Sequence, residues 1–352
     1  MQGGDSFIMN KVEKSVIKYQ IDLEKYKNGQ ADEIIRLLDK ANADIAKMIK
    51  KTSSVSTKAR YKEISRKLKE IAEALKEKVE TGTDLDGIID FELKKQEKIL
   101  GLAKQYIKDV EGGRIDFLYP SVEQIKTSAL FKPIDTKYGL TFQSYLEGIA
   151  TGLYNTWDSA LRTGYLTGQT TQQIVRNVLG APTQAGKLID RGTMQALRNS
   201  VYANTRTALQ SFANETRNRV YEKNEEYFGE GKYKYEYLAT LDARTCLVCG
   251  ELDGKLFENL EDIPPLPQHR GCRCVVVPYF DITGDKRESK NGYVDSKVTF
   301  QEWLEDEDEK TQREVLGATR FKMFQDGVKI KDFVDNGEVL TLDELRKKGL
   351  LE

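Results

Sequence analysis

Every cysteine in this 352-residue chain, and its only histidine, falls inside one short window. Cys246 and Cys249 open it as Thr-Cys-Leu-Val-Cys-Gly, and His269, Cys272 and Cys274 close it as His-Arg-Gly-Cys-Arg-Cys. Cysteines used as small apolar residues would be scattered through a core. Gathered this way, they restrict the local fold to one that brings two short turns together around a metal ion or a small disulfide knot.

Zinc takes four thiolate or imidazole ligands at tetrahedral corners. A Cys-x-x-Cys turn supplies two, and the second group arrives about twenty residues later, a separation of the order seen in two-turn zinc sites. Five side chains compete for four corners. Cys246 and Cys249 take two of them; the others come from His269, Cys272 and Cys274. If Arg273 lies on a strand, Cys272 and Cys274 share a face, both can bind, and His269 stands behind them. Otherwise His269 takes one corner and one cysteine is spare.

The competing reading is disulfides or ordinary thiols. Met1-Gln-Gly-Gly-Asp5 is followed by no sustained apolar run of a secretory leader, and no stretch is long and apolar enough to span a bilayer. A reducing compartment is therefore expected, where cysteine pairs serve as metal ligands more often than as bridges. Zinc is the expected ion and its role structural. One histidine leaves little for a general base, and the pattern describes a closed site, not three ligands and a water.

The length suggests two or three domains. A formal net charge of −1 excludes a bulk polyanion binder. Helix formers dominate the first two thirds. Ile8, Val12, Val16 and Tyr19, then Ile34, Ile35, Leu38, Ile45, Met48 and Ile49, recur at helical intervals, with a break expected near Asn28-Gly29. Tyr61, Ile64, Leu68, Ile71, Leu75 and Val79 form a narrow seam that Gly82 ends, suited to an antiparallel bundle. A further helix is predicted from Leu85 to Val110, closing at Gly112-Gly113.

Ser121-Val-Glu-Gln124 reads as a capping box, and the segment around Phe131-Lys-Pro-Ile as loop. Phe142, Tyr145, Leu146, Ile149, Leu153, Trp157 and Leu161 mark an amphipathic helix. Gly148, Gly152 and Gly164 lie within it, each at a cost of roughly 1 kcal/mol, which points to close approach by a neighbour. Thr170-Thr-Gln-Gln173 caps a short helix ending at Leu179-Gly180. A long helix is expected from Thr183 to Phe228. Arg191, Arg198, Arg206 and Arg217 fall in one sector of it. Such a stripe suits phosphates or an acidic partner, although intramolecular pairs or a solvated face explain it more simply.

From Lys232 the period shifts to two. Tyr233, Tyr235 and Tyr237 predict a strand, Lys255-Leu-Phe-Glu a second after the turn Leu252-Asp-Gly254, and Cys274-Val-Val-Val-Pro278-Tyr-Phe280 a third. The cluster then sits on the loops of a small antiparallel sheet, too small for a core of its own and helped by a metal staple. A polar linker follows to Tyr293. Thr299-Phe-Gln-Glu302 and Thr341-Leu-Asp-Glu344 each read as a helix start. The predicted fold is mainly α: extended helical hairpins or a bundle, a small antiparallel β-sheet carrying the Cys/His cluster, and a short α-helical C-terminal tail. The expected segments are 1–115 (N-terminal helices), 116–230 (helical core), 231–282 (sheet and cluster) and 283–352 (linker and tail).

Thr240-Leu-Asp-Ala-Arg-Thr-Cys246-Leu-Val-Cys249, Leu252-Asp-Gly254-Lys-Leu-Phe257, Pro264-Pro265 and His269-Arg-Gly-Cys272-Arg-Cys274 follow one another in an order that resembles the phage Mu F-like minor head proteins, head morphogenesis proteins of tailed bacteriophages. Thr299-Phe-Gln-Glu-Trp303-Leu304, Leu316-Gly317, Arg320, Gly327 and Leu340-Thr-Leu-Asp-Glu-Leu345 are similar to a tail that many members carry. The likeness covers about residues 120 to 345. It implies a non-enzymatic protein inside the virion head, and in the host cytoplasm during assembly. It further implies association with the portal protein, an influence on DNA packaging or release, contact in some members with phage DNA, and neighbours such as scaffold or major capsid protein. Two enzymatic alternatives compete: a zinc-dependent DNA-binding protein or nuclease, and a Cys-His hydrolase with Cys246 or Cys274 as nucleophile and His269 as base.

Overall fold

The computed structural model describes residues 3–51, 58–111, 116–135, 139–182, 188–190, 192–225, 234–279, 286–290, 292–295 and 297–351. Three helices open the chain: α1 (Gly3–Lys50), α2 (Lys58–Gly82) and α3 (Leu85–Glu111). Then come α4 (Val122–Phe131), the short pair β1 (Pro133–Asp135) and β2 (Leu140–Thr141), α5 (Phe142–Thr167) and α6 (Thr171–Leu179). A second short pair, β3 (Ala181–Pro182) and β4 (Leu188–Asp190), precedes α7 (Met194–Lys223). The mainly α expectation holds. The chain divides into two compact units, one made of Met1–Leu23, Ile89–Ile125 and Ala213–Glu352, the other of Glu24–Ile88 and Lys126–Phe212. The boundaries fall inside α1, α3, α4 and α7, so each unit draws on separated stretches of sequence.

In the Glu24–Ile88 and Lys126–Phe212 unit, α1 does not break at Asn28-Gly29. Gly29 is exposed and costs the helix roughly 1 kcal/mol. Burial of Ala31, Ile34, Leu38, Ile45 and Ile49 along the same helix outweighs that, since each large aliphatic side chain contributes about 1.5–3 kcal/mol. Ile8, Val12 and Val16 lie in α1, but their side chains are not among those described. The α2 seam buries Ile64, Leu68, Leu75 and Val79 and packs along α5. Tyr61 and Arg162 both bond Asp158, at 2.6 and 2.9 Å.

On α5 the seven predicted apolar residues, from Phe142 to Leu161, are all 3% exposed or less. Trp157 Nε1 donates to Asn42 Oδ1 at 2.8 Å. Of the three glycines, two have a steric reason to be glycine. A Cβ at Gly152 would lie 2.6 Å from Leu197 Cδ1, and one at Gly164 would lie 2.3 Å from Ile174 Cδ1, whereas Gly148 faces open space. Ser121 and Gln124 form the predicted capping box, and Thr170 and Gln173 form another at α6. Around Phe131-Lys-Pro-Ile the expected loop is partly a strand, β1, paired with β2.

The predicted helix from Thr183 starts late. Residues 183–187 and 226–233 lie outside the described residues, as does Arg191. Gly192 stands just before α7 with φ +61°, where a Cβ would meet the Val178 carbonyl oxygen at 2.3 Å. That conformation belongs to glycine, and a regular helix cannot run through it.

The other unit carries the sheet. β5 (Lys234–Leu238) lies between β6 (Leu256–Phe257) and β7 (Val275–Tyr279), both antiparallel to it. Between β5 and β6 stands the one-turn helix α8 (Leu247–Leu252). Tyr235 and Tyr237 point to one face, as alternation requires. They pack with Leu100, Val220, Tyr221, Val276, Cys249, Cys272 and Cys274. The sheet is therefore seated on α3 and α7, and its core is larger than three short strands could build.

The expected linker contains a hairpin, β8 (Lys286–Ser289) with β9 (Gly292–Asp295). Then follow α9 (Phe300–Asp306), α10 (Glu309–Gln325), the strands β10 (Val334–Asp335) and β11 (Glu338–Val339), and α11 (Leu342–Lys347). Thr299 and Thr341 form the two expected capping boxes. Gly317 kinks α10 with φ +72°. The tail closes its own core around Phe300, Trp303, Phe321, Phe324 and Phe333, which also takes in Leu241 and Leu247. Two backbone N–H groups, Ala239 and Phe300, each donate to the buried Asp253 carboxylate at 2.7 Å. One side chain thereby joins the end of β5 to the start of α9.

Two substitutions test this account. Arg217, 2% exposed, faces Glu92, 0% exposed, at 3.0 Å. Arg217→Met should cost about 3–5 kcal/mol in chemical denaturation because it leaves a buried carboxylate uncompensated, and adding Glu92→Leu should restore most of the loss. Asp253→Ala leaves two buried N–H groups without their acceptor, at about 1–3 kcal/mol each. It should free the tail from the sheet, read as increased proteolysis between β9 and α9.

Candidate metal centre

The first turn is built by α8. Cys246 is its N-cap, and its sulfur accepts the Cys249 N–H at 3.4 Å. Gly250 follows because Phe300 lies against it: a Cβ there would come within 2.3 Å of Phe300 Cδ1. The second turn runs from His269 to Cys272, closed by the Cys272 N–H donating to the His269 carbonyl at 3.0 Å. Gly271 takes φ +80° within it. Arg273 turns the other way and grips Asp242 with two 2.6 Å bonds. Cys272 and Cys274, on either side of it, are each 3% exposed. They share a face, as alternation predicts, although β7 begins only at Val275.

The five side chains converge. His269 Nε2 lies 3.2 Å from Cys246 Sγ and 3.4 Å from Cys249 Sγ. Cys249 Sγ is 4.0 Å from Cys272 Sγ. The donors form two triads, Cys246–Cys249–His269 and Cys249–Cys272–Cys274, each with all its ligand atoms within 4.8 Å, and Cys249 belongs to both. Among the described residues no other group of three His, Cys, Asp or Glu is so arranged. All four cysteines are free thiols; the 4.0 Å between Cys249 and Cys272 is about twice a disulfide bond length.

Four sulfurs this close cannot all ionise, since each thiolate raises the cost of the next. Hydrogen bonding with Cys249, then with His269, overcomes burial and holds Cys246 down to about 4. The Cys249 thiol is pushed far up as the proton donor to Cys246, Cys272 and Cys274. Its bond to Cys246 brings His269 up to about 9. Burial, then the neighbouring sulfurs, raises Tyr237. Burial alone would raise Asp242, but the Arg273 fork holds it below the usual carboxylate range. The cluster is thus negative and shares its protons, which suits a divalent cation. The donors are thiols and one imidazole with no carboxylate, the set that thiophilic metals take.

The arginine stripe has a different fate. Arg198 pairs with Asp39, and Arg206 with Glu24. Arg217 is enclosed against Glu92 and Tyr19, so it cannot reach a phosphate while α7 is folded. The spacing that sets these residues on one sector of α7 directs them at carboxylates of α1 and α3. Sequence reasoning missed Asp253, Gly250, Tyr237 and the Arg273–Asp242 fork as supports of the site. The Leu252-Asp-Gly254 and Cys249-Gly250 stretches were the available signals, but a turn explains both without naming a partner.

Residues 156–277 match the family model described as Phage Mu protein F like protein. The span runs from within α5 to within β7 and includes all five donors. The resemblance read from the sequence is shown over that span, and it supports a role in phage head morphogenesis; the tail motifs from Thr299 to Leu345 lie beyond it. No curated protein and no solved structure matches the chain. Among the described residues no helix is long and apolar enough to cross a membrane.

The cluster should retain one divalent metal ion per chain on purification, measured by elemental analysis. Chelation should lower the melting temperature by about 5 °C or more, because ligation and folding of the site are coupled. Acidification should release the ion as the thiolates and His269 take up protons. An unchanged melting curve in chelator would rule out a metal staple.

Proposed function

We propose that this chain is a non-catalytic minor head protein of a tailed phage. It acts inside the procapsid at the portal vertex, where it assists head assembly and DNA packaging or release. The observation that carries the reading is the Mu F-like match over residues 156–277, which takes in the whole Cys/His cluster. The ion is zinc and its work is structural. It ties the α8 turn to the strand leading into β7, and through Asp253 and Phe300 the same region is joined to the tail. Four soft donors close a zinc shell and leave no corner for a water.

The portal protein is the partner, with scaffold, major capsid protein and phage DNA as further neighbours. The chain is virion-borne after assembly and cytoplasmic in the host before it. DNA contact through the α7 arginines would require Arg198 and Arg206 to leave Asp39 and Glu24. Any DNA binding through them should therefore be weak and steeply salt-dependent.

The test is a pull-down of the tagged full chain from cells that make the portal protein and procapsids of its own phage. Co-purification with portal, and density at the portal vertex in procapsid images, are expected. Recovery of neither would overturn the reading. Metal-dependent DNA cleavage abolished by His269→Ala would replace it with the nuclease alternative.

A further inference from the structure

Five donors remain for four corners, and the geometry selects among them. We propose that the ion is held by Cys246, Cys249, His269 and Cys272, and that Cys274 is a buried thiol beside it, not bonded to the metal. This assignment rests on the metal reading of the cluster.

The imidazole gives the first reason. His269 Nδ1 lies 3.0 Å from the Arg270 carbonyl oxygen. A carbonyl can only accept, so Nδ1 carries the proton. Nε2 is then the nitrogen that faces the sulfurs of Cys246 and Cys249, at 3.2 and 3.4 Å, and it would present its lone pair once an ion displaced the proton it shares with Cys246. An imidazole with one N–H on a backbone carbonyl and the other nitrogen among thiolates is oriented as a metal ligand.

The second reason is the matched form of the two turns. Cys246-x-x-Cys249 and His269-x-x-Cys272 each span four residues. In each, a main-chain N–H of the last residue is bonded within the turn, to the Cys246 sulfur in one and the His269 carbonyl in the other. The second turn sets Cys272 4.0 Å from Cys249. Each turn thus offers its first and last side chains, and the two pairs meet.

Cys274 belongs to neither turn. It lies beyond the second, at the threshold of β7, and is 3% exposed. The Tyr237 hydroxyl, itself 0% exposed, donates instead to the Cys249 sulfur at 3.7 Å, an outer hydrogen bond of the kind a metal-bound thiolate accepts. Charge points the same way. Four thiolates on a divalent ion leave a net charge of about −2, whereas three thiolates and a neutral imidazole leave about −1, which costs less to bury.

The experiment is X-ray absorption at the zinc edge on the full-length chain. Three sulfurs at about 2.3 Å and one nitrogen at about 2.0 Å are expected. Cys274→Ser should keep the same shell and the same zinc content. Cys272→Ser should lose a sulfur, and His269→Ala should lose the nitrogen and weaken zinc binding about 10-fold or more. A four-sulfur shell in the unaltered chain would overturn the assignment and leave the metal reading standing, as would loss of a sulfur in Cys274→Ser. A chain that binds no metal would overturn both. If Cys274→Ser does not fold, the shell of the unaltered chain together with that of Cys272→Ser decides: a Cys272→Ser shell that keeps three sulfurs would overturn the assignment.

Discussion

Two four-residue turns, separated in sequence by β6 and a run of loop, are forced to put their polar ends at one point. Everything local to the sheet depends on what happens there. Without an ion, four sulfurs and an imidazole share too few protons to be neutral and sit too close to be fully charged. Cys246 and Cys272 are pulled down while Cys249 is pushed up, a compromise that a cation would resolve. A divalent ion converts mutual repulsion among thiolates into common attraction, and it does so without a large apolar interior.

The surroundings make that point rigid. Tyr237 comes up from β5 beneath the sulfurs, and Tyr235 and Tyr221 continue the same layer with rings 5.8 Å apart. Arg273 cannot follow its neighbouring cysteines inward, because Asp242 holds it on the opposite side. Gly250 lets Phe300 close over α8, and Asp253 takes hydrogen bonds from the sheet and the tail at once. The Cys/His cluster thus stands at the junction of three pieces of one unit: the sheet, the ends of α3 and α7 beneath it, and the C-terminal tail. The junction fixes where the tail stands relative to the sheet, which is what the proposed non-catalytic role would need.

Legibility was uneven, and for identifiable reasons. Helix starts were readable because a capping box is local: Ser121, Thr170, Thr299 and Thr341 each bond the backbone three residues on, and no distant residue can change that preference much. The apolar face of α5 was equally plain, since seven side chains repeat with the helix. The break expected at Asn28-Gly29 failed because a lone glycine penalty is small against the burial on either side of it. The start of α7 was misplaced because Gly192 is required by a contact with the Val178 carbonyl, which spacing does not reveal. The hairpin β8–β9 was hidden in a polar segment that has no apolar alternation to announce it.

The sequence by itself determined that the chain is mainly helical, that a short antiparallel sheet follows the long helix, and that five donors belong together. Those facts follow from periodicity, capping and the rarity of Cys and His, all of which act over a few residues. Only the tertiary structure decided where the arginines of α7 point, because that depends on which carboxylates α1 and α3 present. It likewise decided which support each donor receives. Five side chains in one stretch of sequence look alike, and only folding gives His269 a carbonyl for one nitrogen and sulfurs for the other, while it gives the Cys249 sulfur the hydroxyl of Tyr237.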